Sequence, residues 1–118
     1  IAGFMPGPIM CAYYSSKAYV VRLSEGIREE LKKEKSNVKI SVLCPGPVDT
    51  NIKNVEGVKF KLQSNTSEHV AKYAIDKMLR NKFLIVPGLK IKFVRLMAKI
   101  SPNNITSKIV YMMQERKR

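Results

Sequence analysis

Tyr13-Tyr14-Ser15-Ser16-Lys17 opens a long predicted helix and sets a tyrosine four residues before a lysine. Residues i and i+4 lie one above the other on the same helix face, so Tyr13 and Lys17 can present a phenol and an ammonium group to one small volume. A cation favours the phenolate, by up to about 3 kcal/mol at roughly 5 Å and an effective dielectric near 20. The pair therefore suits general acid–base chemistry, although the same spacing also fits a half-buried tyrosine beside a snorkelling lysine.

The helix that carries this pair is predicted from about Met10 to Lys35, between a loop at 3–8 rich in glycine and proline and a stop at Ser36-Asn37. Apolar and charged residues alternate along it with helical periodicity. The predicted apolar face consists of Val20, Leu23, Ile27 and Leu31, and the predicted solvent face of Arg28, Glu29, Lys32 and Lys33.

Two strands are predicted after this helix. Val38 to Cys44 is rich in β-branched residues and runs into Pro45-Gly46-Pro47, which no strand can continue. Residues 48–65 are irregular and polar, and a loop of that length is usually functional or mobile. The second strand is Phe83 to Val86.

Between the strands a helix is predicted from Glu68 to Asn81, with Thr66 or Ser67 as its N-cap. Its predicted apolar side consists of Val70, Ala71, Ala74, Ile75, Met78 and Leu79. The order helix, strand, loop, helix, strand is typical of an α/β fold with a parallel sheet.

The tail, residues 89–118, is predicted to form two basic amphipathic helices separated by Ser101-Pro102. The first groups Phe93, Leu96, Met97 and Ile100 on one face and Lys92, Arg95 and Lys99 on the other. The second has Ile105, Ile109, Met112 and Met113 as its apolar residues. These faces either cover a sheet edge or subunit interface, which we favour, or lie on an anionic membrane surface.

Composition restricts the possible functions less than the motifs do. The chain of 118 residues has the size of one domain and a formal net charge of +13, from 22 Lys and Arg against 9 Asp and Glu. The charge is spread along the chain without interleaved aromatic residues, so we expect no nucleic-acid partner. Cys11, Cys44 and His69 form neither a disulfide framework nor a metal site, and we expect a cytoplasmic protein.

Three features together resemble the second half of a short-chain dehydrogenase/reductase (SDR). They are Gly3-Phe4 with Pro6-Gly7-Pro8, then Tyr13-x-x-Ser16-Lys17-Ala18, then a strand ending in Cys44-Pro45-Gly46-Pro47-Val48-Asp49-Thr50. The resemblance implies the C-terminal part of a Rossmann-type doubly wound parallel sheet. That part would contain two strands, a long helix before the first, a helix between them and two C-terminal helices.

The resemblance also implies roles for individual residues. Tyr13 would be the general acid or base at the substrate oxygen, and Lys17 would tune it and bind the nicotinamide ribose. Pro45, Gly46, Val48 and Thr50 would form the nicotinamide loop of NAD or NADP, of which we favour NADP. The substrate would be a small carbonyl or alcohol compound, and Tyr14 would be a packing or pocket-lining neighbour.

The same resemblance divides the single domain into four stretches. Residues 1–50 would hold the catalytic helix, strand and nicotinamide loop, 51–65 a substrate lid, 66–88 the helix and last strand, and 89–118 the basic tail. In the lid, the candidates to cover a substrate are Asn51, Ile52, Phe60 and Leu62.

Two elements of the family pattern have no counterpart in the sequence. The family's catalytic serine, thirteen residues before the tyrosine, would stand directly upstream of Ile1, and no glycine-rich pyrophosphate turn occurs in these 118 residues. We therefore expect a fragment of a longer, homo-oligomeric enzyme. By itself it would neither bind NAD(P) well nor turn over substrate.

Overall fold

The computed structural model describes residues 2–46, 48–49 and 65–115. A short 3-10 helix at Ala2–Phe4 overlaps the predicted loop at Gly3 and Phe4, and within the described residues four α-helices and four short strands follow. The helices are α1 (Cys11–Lys33), α2 (Ser67–Leu79), α3 (Leu89–Ile100) and α4 (Asn103–Glu115). The strands are β1 (Val42–Leu43), β2 (Val48–Asp49), β3 (Asn65–Thr66) and β4 (Leu84–Ile85).

β1 and β4 form the parallel pair that the element order predicts, with α2 between them along the chain. Val42 is in register with Leu84, and the amide of Cys44 donates to the carbonyl of Ile85 at 2.8 Å. The paired part of β1 is shorter than the predicted strand from Val38 to Cys44, because β4 offers only two residues opposite it. The α/β class is confirmed.

A second parallel pair, β2 with β3, was not predicted from the sequence. Val48 is in register with Asn65, and Asp49 with Thr66. Two-residue strands are too short to show a periodic pattern, so the region from Val48 to Asn65 looked uniformly irregular. The Thr66 hydroxyl also accepts a hydrogen bond from the amide of His69 at 3.3 Å, which confirms Thr66 as the N-cap of α2.

The buried core lies where α1, the first sheet and α3 meet. It contains Val21, Val42, Cys44, Val86 and Ile91, with Phe4, Phe83 and Leu84 packed against it. Pro87, directly after β4, has a fully buried side chain. The core thus joins the helix that carries Tyr13 and Lys17 to the carboxyl end of β1.

The predicted buried face of α1 is partly wrong. Ile27 and Leu31 are half-buried, but Val20 and Leu23 are about half exposed and Val21 is buried instead. An ideal Cβ on Gly3 would lie 3.1 Å from Cγ2 of Val21, so the glycine lets this side of α1 approach the 3-10 helix closely. Arg28, predicted on the solvent face, instead lies over the ring of Phe83, 4.6 Å from its centroid.

The predicted apolar side of α2 is also partly wrong. Val70 is buried as predicted, but Ile75, Met78 and Leu79 are exposed. Tyr73 is half-buried in their place. The short sheet offers little apolar surface, so only a narrow strip of α2 is covered.

Both α1 and α2 end in a Schellman motif whose left-handed residue is not glycine. At the end of α1, Lys35 has φ 53°, and the amide of Ser36 donates to the carbonyl of Leu31 at 2.9 Å. Asn81 has φ 56° in the equivalent position after α2.

Replacing Lys35 with glycine is expected to raise the free energy of unfolding by about 1 kcal/mol, because glycine tolerates positive φ without a Cβ penalty. Urea unfolding of the two chains measures the difference. Lys33→Gly is the control, since this residue is the last helical residue of α1 and the same change should destabilise the chain by up to about 1 kcal/mol. A Lys35→Gly chain less stable than the parent would contradict the expectation.

Candidate active site

Tyr13 and Lys17 lie on the same face of the first two turns of α1. The Lys17 ammonium nitrogen is 5.3 Å from the centroid of the Tyr13 ring. Tyr13 is 49 % exposed and Lys17 is exposed as well, so a ligand can reach both polar groups. The chain therefore holds a phenol beside a cation, and the catalytic roles of the two residues remain predictions.

The adjacent Tyr14 is held in a different environment. Its hydroxyl accepts a hydrogen bond from the Gln114 amide nitrogen at 3.1 Å, and its ring meets that of Tyr13 edge to face. Burial raises the pKa of the Tyr14 phenol above its ordinary value, although the bond from Gln114 acts in the opposite direction. Tyr14 is thus a neutral packing residue, and of the two neighbours only Tyr13 stands beside the lysine.

Gly7 makes the position of Tyr14 possible. An ideal Cβ on Gly7 would lie 2.0 Å from Cγ of Tyr14, so the ring occupies the space that any other residue would fill. The contacts of Tyr14 with Gly7 and with Gln114 join the loop before α1, the first turn of α1 and the last helix α4. No local sequence pattern predicts this unit, because Tyr14 and Gln114 are 100 residues apart.

Gly7→Ala is expected to lower the free energy of unfolding by about 1–3 kcal/mol, since the Tyr14 ring must move or the loop must shift. Gly26→Ala is the matched control: nothing lies within 4 Å of its Cβ position, in the interior of α1. There alanine should stabilise the helix by about 0.5–1 kcal/mol. Urea unfolding should show that Gly7→Ala lowers the free energy of unfolding and that Gly26→Ala raises it. Equal effects of the two substitutions would contradict the close packing of Tyr14 against Gly7.

The predicted nicotinamide loop begins directly after β1. Pro45 and Gly46 are half-buried, Val48 starts β2, and Thr50 lies outside the described residues. An ideal Cβ on Gly46 would lie 2.6 Å from Cδ1 of Ile91, so the bare side of this glycine faces α3. The close packing of α3 is by itself enough to explain why residue 46 is glycine. Contact of Gly46 with a nicotinamide ring therefore stays a prediction.

The core connects the two parts of the predicted site. Val21, one helical turn beyond Lys17, shares a buried cluster with Val42 and Cys44 of the strand that leads into the loop. The side chain of Cys44 is buried and that of Cys11 exposed, and both thiols are free. Desolvation raises the pKa of the Cys44 thiol, which suits a packing role at the end of β1. The lid candidates Asn51, Ile52, Phe60 and Leu62 lie outside the described residues.

A groove lined by cationic side chains lies between α2, β4 and α3, and it was not predicted from the sequence. Tyr73 and Lys77 line it from α2, Lys82 precedes β4, and Lys92 and Arg95 line it from α3. These residues come from three elements, so no local sequence pattern unites them. A second groove, at the far end of α1 around Arg28 and Phe83, lies away from Tyr13.

Comparison with known proteins identifies a family for the first half of the chain. The short chain dehydrogenase family profile matches residues 1–59, which is half of the 118 residues. The chain is 33% identical over 67 residues to "Dehydrogenase/reductase SDR family member 11" from Gallus gallus. That alignment covers 57% of this chain and 24% of the relative, so the chain spans about a quarter of the relative's length. No solved structure matches. The chain belongs to the short-chain dehydrogenase family.

Proposed function

We propose that the protein carrying this chain is an NAD(P)-dependent oxidoreductase that interconverts a carbonyl and an alcohol, with Tyr13 as general acid and base. The observation that carries the proposal is the exposed Tyr13 phenol with the Lys17 ammonium nitrogen 5.3 Å from its ring. Family membership supports it, because the family generally uses NAD(P). The cofactor, NADP in preference to NAD, and the small carbonyl or alcohol substrate belong to the proposal.

Tyr13 would hold or release a proton at the substrate oxygen. The ammonium group of Lys17 would stabilise negative charge that develops beside it when an alcohol is oxidised. In the opposite direction the neutral phenol would donate to the developing alkoxide. Since a residue used in both directions must exchange its proton, the exposure of Tyr13 suits this role.

The described residues fit a nicotinamide cofactor by their chemistry. Lys17 can donate hydrogen bonds to ribose hydroxyls, and Pro45, Gly46 and Val48 follow the carboxyl end of β1, where ligands of open α/β sheets bind. Thr50 would complete this set. When bound, the cofactor supplies or accepts the hydride at the substrate carbon.

The chain would form the C-terminal half of the Rossmann-type domain. Its glycines stand at positions 3, 7, 26, 46, 57 and 88, which excludes a G-x-G-x-x-G turn from this sequence. Pyrophosphate binding would therefore depend on the remainder of a protein as long as its relative. The exposed apolar residues Tyr19, Val20 and Leu23 on α1 would be available to a second subunit of a homo-oligomer.

The test is hydride transfer by the whole protein. With NADPH or NADH and a panel of aldehydes and ketones, we expect cofactor oxidation that depends on the added carbonyl compound. The isolated 118-residue chain should bind neither cofactor at micromolar concentration. Two results would contradict the proposal that this chain carries the acid–base residues while the remainder of the protein binds the pyrophosphate. One is a whole protein that binds no nicotinamide cofactor, and the other is an isolated chain that binds one tightly.

A further inference from the structure

One face of α3 is apolar and exposed along its whole length. Leu89, Phe93, Leu96 and Ile100 are spaced four, three and four residues apart, and are 81 %, 63 %, 53 % and 70 % exposed. This spacing places them on one side of the helix. Together they are called the α3 stripe. Phe93, Leu96, Met97 and Ile100 were predicted to cover a sheet edge or a subunit interface. In the described part of the chain they do not cover the sheet edge, because Ile91, on another side of the helix, makes the buried contact; a subunit interface stays a prediction.

Lysines flank the α3 stripe and no acid accompanies them. The helix contains Lys90, Lys92, Arg95 and Lys99 but neither Asp nor Glu. Lys92 and Lys99 lie on one flank of the stripe and Lys90 on the other, as their spacing dictates. An apolar stripe between cationic flanks is the pattern of a helix that lies in a membrane interface.

The cationic groove adjoins the stripe. Leu96 of the stripe also lines this groove of about 380 Å³, beside Lys92 and Arg95. The Lys92 ammonium donates a hydrogen bond to the Tyr73 hydroxyl at 3.3 Å, and the Lys77 ammonium lies 5.3 Å from the centroid of the same ring. Lys77 also pairs with Asp76, but within residues 2–46, 48–49 and 65–115 neither Lys82, Lys92 nor Arg95 makes an ion pair. The cationic groups of Lys82, Lys92 and Arg95 thus lie next to the α3 stripe, and no carboxylate of the described residues neutralises them.

We propose that α3 docks this protein on the surface of an anionic phospholipid bilayer. The α3 stripe would enter the boundary between headgroups and acyl chains, while the flanking lysines and the groove would contact lipid phosphates. Charge selects this occupant over a second copy of the chain, because a symmetric contact would bring the lysines of two such helices together in a protein of net charge +13. In the part of the chain that the structure describes, no helix has the length and apolarity to cross a bilayer.

Sedimentation with vesicles tests the proposal. We expect the chain to bind vesicles of phosphatidylcholine with phosphatidylglycerol at about 0.1 M salt, and to be released at about 1 M salt, where the Debye length falls to roughly 3 Å. Vesicles of phosphatidylcholine alone should bind far less. Excess inorganic phosphate at constant ionic strength should not release the protein, because an isolated anion offers no apolar phase to the stripe.

Two paired variants identify the surface. Lys92→Gln with Lys99→Gln should weaken binding roughly 30-fold, since each lysine near an anionic surface contributes about fivefold. Phe93→Gln with Ile100→Gln should weaken it more than about tenfold. The control for charge is Lys33→Gln with Lys39→Gln, and the control for apolar exposure is Tyr19→Gln with Leu79→Gln; both change exposed residues outside α3 and should leave binding unchanged.

Three outcomes would overturn the proposal. The first is no binding to anionic vesicles by the chain or by the whole protein. The second is equal loss of binding in the α3 variants and in their controls, which would indicate diffuse attraction by the net charge. The third is a dimer in analytical ultracentrifugation that Phe93→Gln with Ile100→Gln dissociates while vesicle binding persists. None of these outcomes depends on oxidoreductase activity.

Discussion

Tyr13→Phe is expected to lower kcat of the whole protein by about 10²–10⁴-fold and to leave NAD(P) binding nearly unchanged. The phenylalanine ring keeps the edge contact with Tyr14 and the Lys17 ammonium nitrogen over its face, and only the hydroxyl that is proposed to exchange the proton is removed. Steady-state kinetics measures the first effect, and fluorescence titration with the reduced cofactor measures the second.

Tyr14→Phe is the matched control for this experiment, because it removes the same atom from the next residue. The variant loses the hydrogen bond from Gln114 and about 1 kcal/mol of stability, but it should retain turnover. If Tyr13→Phe stays active, or if Tyr14→Phe alone abolishes activity, the assignment of the general acid–base residue is wrong.

Lys17→Ala is expected to reduce both turnover and cofactor affinity, each by roughly ten- to a hundredfold. One ammonium group would serve both tasks: it would stabilise negative charge that develops at the reacting oxygens and donate hydrogen bonds to the ribose. Solvent screening at this exposed position keeps the electrostatic part of the loss modest. Separate measurements of kcat and of the cofactor Kd distinguish the two losses.

Lys17→Arg provides the control for charge. It restores a cation but not the compact ammonium geometry, so it should recover part of the turnover of Lys17→Ala. An alanine variant that loses cofactor affinity alone would limit Lys17 to a binding role.

The sequence was most informative where a local rule determines the structure. The four-residue spacing of Tyr13 and Lys17 places them on one face, and β1 ends shortly before Pro45-Gly46. Thr66 caps α2, and Ser101-Pro102 separates α3 from α4. Each of these features depends on backbone chemistry within a few residues, which tertiary packing did not override.

The sequence was least informative about which helix face is buried. α1 offers Val20 and Val21 on neighbouring sides, and only the close approach of Gly3 selects Val21. α3 offers a broad apolar stripe, yet its contact with the core is made through Ile91. Periodicity identifies an apolar side but not the neighbour that covers it, so those assignments required the three-dimensional structure.

The pairing of β2 with β3 has a consequence for how this protein could diversify. Asp49 and Asn65 belong to neighbouring strands, so the two residues that border positions 50–64 are held side by side. When the ends of a connection are held together, doubling its length costs only about 0.6 kcal/mol in closure entropy. Most of these fifteen positions fall in the stretch predicted as a substrate lid. Insertions or deletions there are therefore expected to alter the ligand specificity of a descendant while the Tyr13–Lys17 pair and the sheet stay in place.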